Sequence, residues 1–177
     1  MSDLKREQKV IDTLKSKFGD KILEAEIQNP RRIHIKVADP DQRELFAFAM
    51  EKWNAWHMIA ISGVDTPDGI IACVYHFDII PPHGAETAVT INLRVDCADH
   101  DKPVLTSVSS VIPGAQFFER ETHDLMGIVF EGHPGLDRLV LPEDFPDNVY
   151  PLRKDFLLEI QKEEAAKKAS RKAKADE

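Results

Sequence analysis

Glu119-Arg120-Glu121-Thr122-His123-Asp124 gathers three carboxylates, a guanidinium and an imidazole between Phe117-Phe118 and Leu125-Met126. In a helix, Arg120 and Asp124 fall at i and i+4, Glu119 and His123 share the same spacing on a neighbouring line, and Glu121 adjoins Asp124. Three chemistries are open to such a set. A solvated helix would carry it as weak surface pairs, and a buried interface would use it as an ion-pair network. An acid/base enzyme would move protons through Glu121, His123 and Asp124.

Other reactive groups are sparse. His100, His123 and His133 share no zinc-like spacing, so no metal ligand is assigned. Cys73 and Cys97 lie far apart and outside any Cys-x-x-Cys, so alone they hold neither an iron–sulfur cluster nor a structural zinc; reduced, buried thiols are expected. There is no Gly-x-Gly-x-x-Gly and no phosphate loop. The formal net charge of −8 disfavours a nucleic-acid groove or an anionic membrane surface. The first residues lack an apolar leader core and no run is long and apolar enough to span a bilayer, which leads to the expectation of a cytoplasmic protein.

The elements that would position these residues read as an α+β fold, with helices on one face of a mostly antiparallel sheet. Ser2 caps a first helix carrying Val10, Ile11, Leu14 and Phe18 on one stripe, and Gly19 stops it. Ile22 to Ile27 and Ile33 to Val37 form a hairpin about Asn29-Pro30. Asp39 is the expected N-cap of a second helix, with Pro40 at its first position and Leu45, Phe46, Ala49 and Trp53 on its inner face. Strands follow at His57 to Val64, Ile70 to Ile80 and Thr87 to Asp96, the last alternating Val89, Ile91, Leu93 and Val95 with polar residues. Val104 to Val111 is read as a short helix, and Ala115 to Met126 as the third main helix, ended by Gly127.

Residues 1–127 are thus expected to form the α+β domain. Residues 128–156 carry Pro134, Pro142, Pro146 and Pro151 with apolar residues between them, which suits an extended segment lying along another surface. Residues 157–177 form a tail with six basic and five acidic residues.

Glu119-Arg120-Glu121-x-x-Asp124-Leu125-Met126-Gly127-Ile128, then Phe130-Glu131-Gly132-His133-Pro134 and Arg138-Leu139, resembles the signature of the NADH-quinone oxidoreductase C-subunit family, the thirty-kilodalton subunit of respiratory complex I. Tyr150-Pro151-Leu152-Arg153-Lys154-Asp155-Phe156 is similar to that family's closing motif. His123, Met126, Asp137 and the Leu141-Pro142-Glu143-Asp144-Phe145-Pro146 stretch depart from the pattern common in complex I members, and His123 with that stretch looks more like the subunit of energy-converting membrane-bound [NiFe] hydrogenases, including the formate hydrogenlyase type.

The resemblance implies a cofactor-free docking subunit, non-catalytic by itself, within a multisubunit oxidoreductase on the inner face of the cell membrane. Its partners would be a large [NiFe]-hydrogenase-like subunit and a small iron–sulfur subunit, which would hold the [NiFe] centre and the clusters. Interface contacts are then expected at Phe117, Phe118, Glu119, Arg120, Glu121, His123, Asp124, Met126, Gly127, His133 and Arg138. In the closing motif they are expected at Tyr150, Pro151, Leu152, Arg153, Lys154 and Asp155, with carboxylates and Arg120 pairing across subunits and Arg153 taking a partner carboxylate. The same role in a quinone- or F420-linked dehydrogenase, a stand-alone acid/base enzyme and a module binding a peptide at a sheet edge are the competing readings.

Overall fold

Alternation along three strands decides where the core lies. Ile33, Ile35 and Val37, then Ile91, Leu93 and Val95, then Ile71, Cys73, Tyr75, Phe77 and Ile79 all point to one side and are buried. The structure, a computed structural model, describes residues 4–55, 57–80, 88–156 and 160. Its elements are α1 (Lys5–Phe18), β1 (Glu24–Asn29), β2 (Arg32–Val37), α2 (Asp41–Trp53), β3 (His57–Asp65), β4 (Ile71–Ile79), β5 (Val89–Asp96), β6 (Val104–Thr106), α3 (Ala115–Met126) and β7 (Val129–Glu131). The five long strands form one sheet in the order β1-β2-β5-β4-β3, antiparallel except for β2 against β5.

The helices α1 and α2 bury their apolar stripes against that inner face, α1 through Val10, Ile11, Leu14 and Phe18 and α2 through Leu45, Phe46, Ala49 and Trp53. Phe46 packs edge-on to Tyr75 at 5.4 Å between ring centroids and tilted on Phe77 at 4.7 Å. The opposite face of the sheet is polar, and its side chains bond across strands: Ser62 with His76, His76 with Asn92, and Asn92 with Gln28. This is the α+β architecture expected from the periodicities.

Some local expectations are corrected, and others fall outside the described residues. Ser2 and Thr87 lie outside them. Asp39 is not the cap of α2: its carboxylate turns to Thr106, accepting from the backbone N–H and from Oγ1, and also accepts from Gln42 Nε2, while Pro40 stands at the N-cap. Val104 to Val111 is not a helix. Val104–Thr106 pairs in parallel with Val129–Glu131, because the ladder to a distant segment overrides local propensity. The 128–156 segment, expected to lie extended along another surface, contributes the short strand β7, which pairs with β6 in a small second sheet.

α3 lies across the edge strand β3. Gly63 permits this contact, since a Cβ there would collide with Met126 Cγ and stand 3.2 Å from Thr122 Cγ2. A glycine inside an edge strand marks such close approaches.

Candidate functional site

The charged residues of α3 turn toward this chain's own backbone. Glu119 is fully buried, and its two oxygens accept from Ser107 Oγ at 2.6 Å and from the Val108 N–H at 2.8 Å. Burial pushes its carboxyl above the ordinary value, against the pull of those two donors. His133, whose side chain is 2 % exposed, lies 3.9 Å from Glu119. It bonds through Nε2 to the Gln116 carbonyl and accepts at Nδ1 from the Gly135 N–H, so the proton sits on Nε2.

Asp124 is 4 % exposed, and its Oδ2 accepts three consecutive backbone N–H groups, from Leu139 and Val140 at 2.7 Å each and from Leu141 at 3.3 Å. Burial raises its carboxyl, but these three donations outweigh burial and hold it below the ordinary aspartate range. The expected Arg120–Asp124 pair does not form. Arg120 donates instead to the carbonyls of Asp137 and Arg138 at 2.8 Å each. His123 does not stack with Glu119; its Nδ1 bonds to the Ile128 carbonyl at 2.9 Å.

The closing motif lands on the same helix end. Gly127, in the left-handed conformation at φ 73°, ends α3 with its N–H on the His123 carbonyl, and the Tyr150 ring lies where a Cβ would project, 2.5 Å from that position. Arg153 donates from Nε to the Met126 carbonyl at 2.8 Å and stacks on Tyr150 at 4.6 Å from the ring centroid. The Leu152 N–H reaches the Leu125 carbonyl, and the Lys154 N–H reaches Asp65 at 2.9 Å. Arg138 gathers the carbonyls of Pro142, Glu143 and Phe145 together with Asp147, closing the loop between the motifs.

Residues 137–154 thus form a strap stitched to α3. The carboxylates and arginines expected to pair across a subunit boundary make these contacts inside the chain. Arg153, expected to take a partner carboxylate, bonds the Met126 carbonyl and covers Tyr150. Of the residues expected at the interface, Phe117, Glu121, Leu152, Lys154 and Asp155 are exposed; Phe118, Arg120, His123, Arg138, Tyr150, Pro151 and Arg153 are half-buried; His133 exposes backbone but buries its side chain; Glu119, Asp124, Met126 and Gly127 are buried. Sequence reasoning missed Ser107, the Val108 amide, Asp65 and Gly63. Only Gly63 carried a signal, as a glycine inside a strand pattern.

The oxygens of Glu119 and Oδ2 of Asp124 accept backbone or serine donors, and the His123 Nδ1 is bonded to a carbonyl. A cleft of about 490 Å³ does open beside them, lined by His123, Asp124, Val129, Arg138, Tyr150 and the 146–149 turn. Among the described residues no group of three or more His, Cys, Asp or Glu could hold a metal ion. Cys73 and Cys97 are buried free thiols, Cys73 pushed well above its usual range by burial and Cys97 pushed up to about 12 by the same cause, so neither is a ready thiolate ligand.

Several known proteins are similar to this chain in sequence or in fold. The family model described as respiratory-chain NADH dehydrogenase, 30 Kd subunit, matches residues 30–162. The C-subunit of NADH-quinone oxidoreductase from Chloroherpeton thalassium is 37 % identical over 146 residues, 81 % of this chain and 58 % of that protein, so the chain spans little more than half of that relative. The C-subunit of F(420)H(2) dehydrogenase from Methanosarcina mazei is 35 % identical over 83 % of this chain and 89 % of its own length. Formate hydrogenlyase subunit 5 of Escherichia coli is 30 % identical over 89 % of this chain and 27 % of its own length. A chain of the membrane-bound sulfane sulfur reductase, an archaeal respiratory membrane complex, superposes with a TM-score of 0.72 at 26 % identity, covering 89 % of this chain and 91 % of that one. A fragment of Nqo5 superposes with a TM-score of 0.56 at 25 % identity, covering 72 % of this chain and 97 % of that one. The signature, the closing motif, the fold and the match over residues 30–162 agree, and the chain belongs to the respiratory-chain NADH dehydrogenase 30 Kd subunit family.

Proposed function

We propose that the chain is a docking subunit in the peripheral arm of a membrane-bound, complex I-type oxidoreductase, supplying a fixed surface and no reacting group of its own. The observation that carries this reading is the destination of the signature's charges. Asp124, Arg120 and Arg153 fix the chain's own strap, as a scaffold requires, and leave side chains such as Phe117 and Leu152 uncovered. Among the described residues no helix is long and apolar enough to cross a membrane.

Within that role the [NiFe]-hydrogenase branch is our preferred assignment. Its support is His123, the Leu141-Pro142-Glu143-Asp144-Phe145-Pro146 stretch and the similarity to formate hydrogenlyase subunit 5. A large [NiFe]-type subunit and a small iron–sulfur subunit would be the partners, and the redox chemistry would belong to their metal centres. A second reading, the same role in an F420- or quinone-linked dehydrogenase, is favoured by the match to the F(420)H(2) dehydrogenase C-subunit over most of both chains. Affinity purification of the tagged chain from its native membranes, followed by mass spectrometry, separates them. A co-purifying large subunit with the cysteine ligands of a [NiFe] centre is the expected result. A large subunit lacking them moves the chain to the second reading, and a chain that elutes alone and turns over a substrate overturns the docking role.

A further inference from the structure

Beneath α3 lies a closed polar cluster that the docking role does not use. The fully buried Glu119 meets residues of three other elements there. The end of β6 supplies Ser107 and the Val108 amide, and the turn after β7 supplies His133, whose Nε2 stands 3.9 Å from Glu119 Oε2. From β4, Cys73 and Tyr75 lie within its electrostatic reach, both fully buried and both pushed up by burial, so they stay neutral. On α3 itself Arg120 and His123 turn to distant carbonyls and Asp124 to the strap. Among the described residues, His133 alone comes within ion-pair distance of Glu119.

The Nε2 proton of His133 has two acceptors in reach. It lies on the Gln116 carbonyl at 3.1 Å, and Glu119 Oε2 is the alternative at 3.9 Å. A protonated carboxyl is a weak acceptor, whereas a carboxylate is a strong one because charge roughly doubles the bond. The ring's position therefore follows the charge of Glu119. Ser107 can serve either charge state, since its Oγ lies 2.6 Å from Oε2 and 2.7 Å from Ser109 Oγ while accepting the Ser109 N–H at 3.1 Å. It accepts the acid's proton and donates its own to Ser109, or reverses both by rotation of the two hydroxyls. The ring also carries the turn, because its Nδ1 accepts the Gly135 N–H. Just beyond, Arg120 holds the Asp137 and Arg138 carbonyls at the root of the strap.

We propose that Glu119 and His133 form a proton-operated switch at the root of the strap. With Glu119 protonated, the ring donates to the Gln116 carbonyl and the turn at 133–135 is closed. When pH rises and Glu119 releases its proton to water, the ring moves to the carboxylate, draws Gly135 with it and loosens the turn. Burial raises the Glu119 carboxyl against the pull of Ser107, Val108 and His133, which sets the switching above the ordinary glutamate value of about 4.3. The switch lies within the chain and needs no partner subunit.

Solution NMR of the full-length chain, titrated from about pH 4 to about pH 8, tests this. The Glu119 carboxyl carbon, the His133 ring nitrogens and the Gly135 amide should move with one shared midpoint above about 4.3, with Nδ1 unprotonated through that step. Glu119→Gln, a neutral isostere of the protonated acid, should remove the step at His133 and Gly135 and hold the Gly135 amide at its low-pH position. Ser107→Ala deletes a donor to the carboxylate and should raise the shared midpoint. A Gly135 step that persists in Glu119→Gln, or one that coincides with protonation of His133 Nδ1, overturns the proposal. If either variant fails to fold, the wild type decides alone. A Glu119 midpoint at or below about 4.3, or different midpoints at Glu119 and Gly135, overturns the switch.

Discussion

Asp124→Asn lowers the unfolding free energy of the isolated chain by about 2–4 kcal/mol. A charged carboxylate oxygen accepting three amides is replaced by a neutral one, and bonds to a charged group are worth about 1.5–3 kcal/mol each against about 1 kcal/mol for neutral ones. Solvent reaches the exposed Leu139 and Val140, which softens the loss. For a domain of this size the expected fall in Tm is about 5–12 °C. The carboxyl of Asp124 is held below its ordinary range in the fold, so its contribution is present above the unfolded value, about 3.9, and is lost as pH falls through the folded one. Glu119 runs the other way. Its raised carboxyl favours the fold at low pH, and that contribution fades as pH rises through the folded value. Urea titrations between pH 3 and 7 should therefore show wild type losing its advantage over Asp124→Asn below about pH 4. Equal stability of the two proteins at neutral pH would show that the three amide contacts hold nothing in place.

Gly127→Ala is expected to cost about 3 kcal/mol or more. A side chain at φ 73° costs about 1–2 kcal/mol by itself, and the new Cβ meets the Tyr150 ring, adding an overpacking penalty of about 1–3 kcal/mol. Gly19 supplies the control. It also has positive φ, at 54°, but nothing lies within 4 Å of the position of its Cβ, so Gly19→Ala should cost only the backbone part. Adding Tyr150→Ala to each variant completes the comparison by thermal denaturation. The two residues should couple by about 1–2 kcal/mol at Gly127 and not at Gly19. No coupling at Gly127 would separate the two motifs.

That contact explains why the two sequence motifs occur together, and it bounds what the sequence could reveal. Local rules worked where the structure is local. The apolar spacing of α3 and the glycine after it located Ala115–Met126 to the residue, and alternation found the long strands. They failed where distant groups outbid near ones. An i, i+4 pair of Arg120 with Asp124 is worth a few tenths of a kcal/mol on an exposed helix. Three amides converging on Asp124 are worth several times that, and their donors lie 15–17 residues away. Likewise Val104–Thr106 is too short to declare itself as a strand until β7 pairs with it and Glu119 grips Val108. The signature was legible as a unit of recognition, while its carboxylates' partners were not, because all but the Ser107 hydroxyl are backbone amides with no side-chain signal, and Ser107 lies 12 residues from Glu119.

The central claim is that the signature of α3 and the closing motif fasten this chain to itself before any partner arrives. Amide hydrogen exchange on the free, full-length chain tests it most directly. Protection of the Leu139, Val140, Leu152 and Lys154 amides in the absence of partner subunits, lost at Leu139 and Val140 in Asp124→Asn, is the result expected. Free exchange at these positions in the isolated wild type, with protection gained only on adding the partner complex, would contradict it and return the motif's charges to the subunit interface.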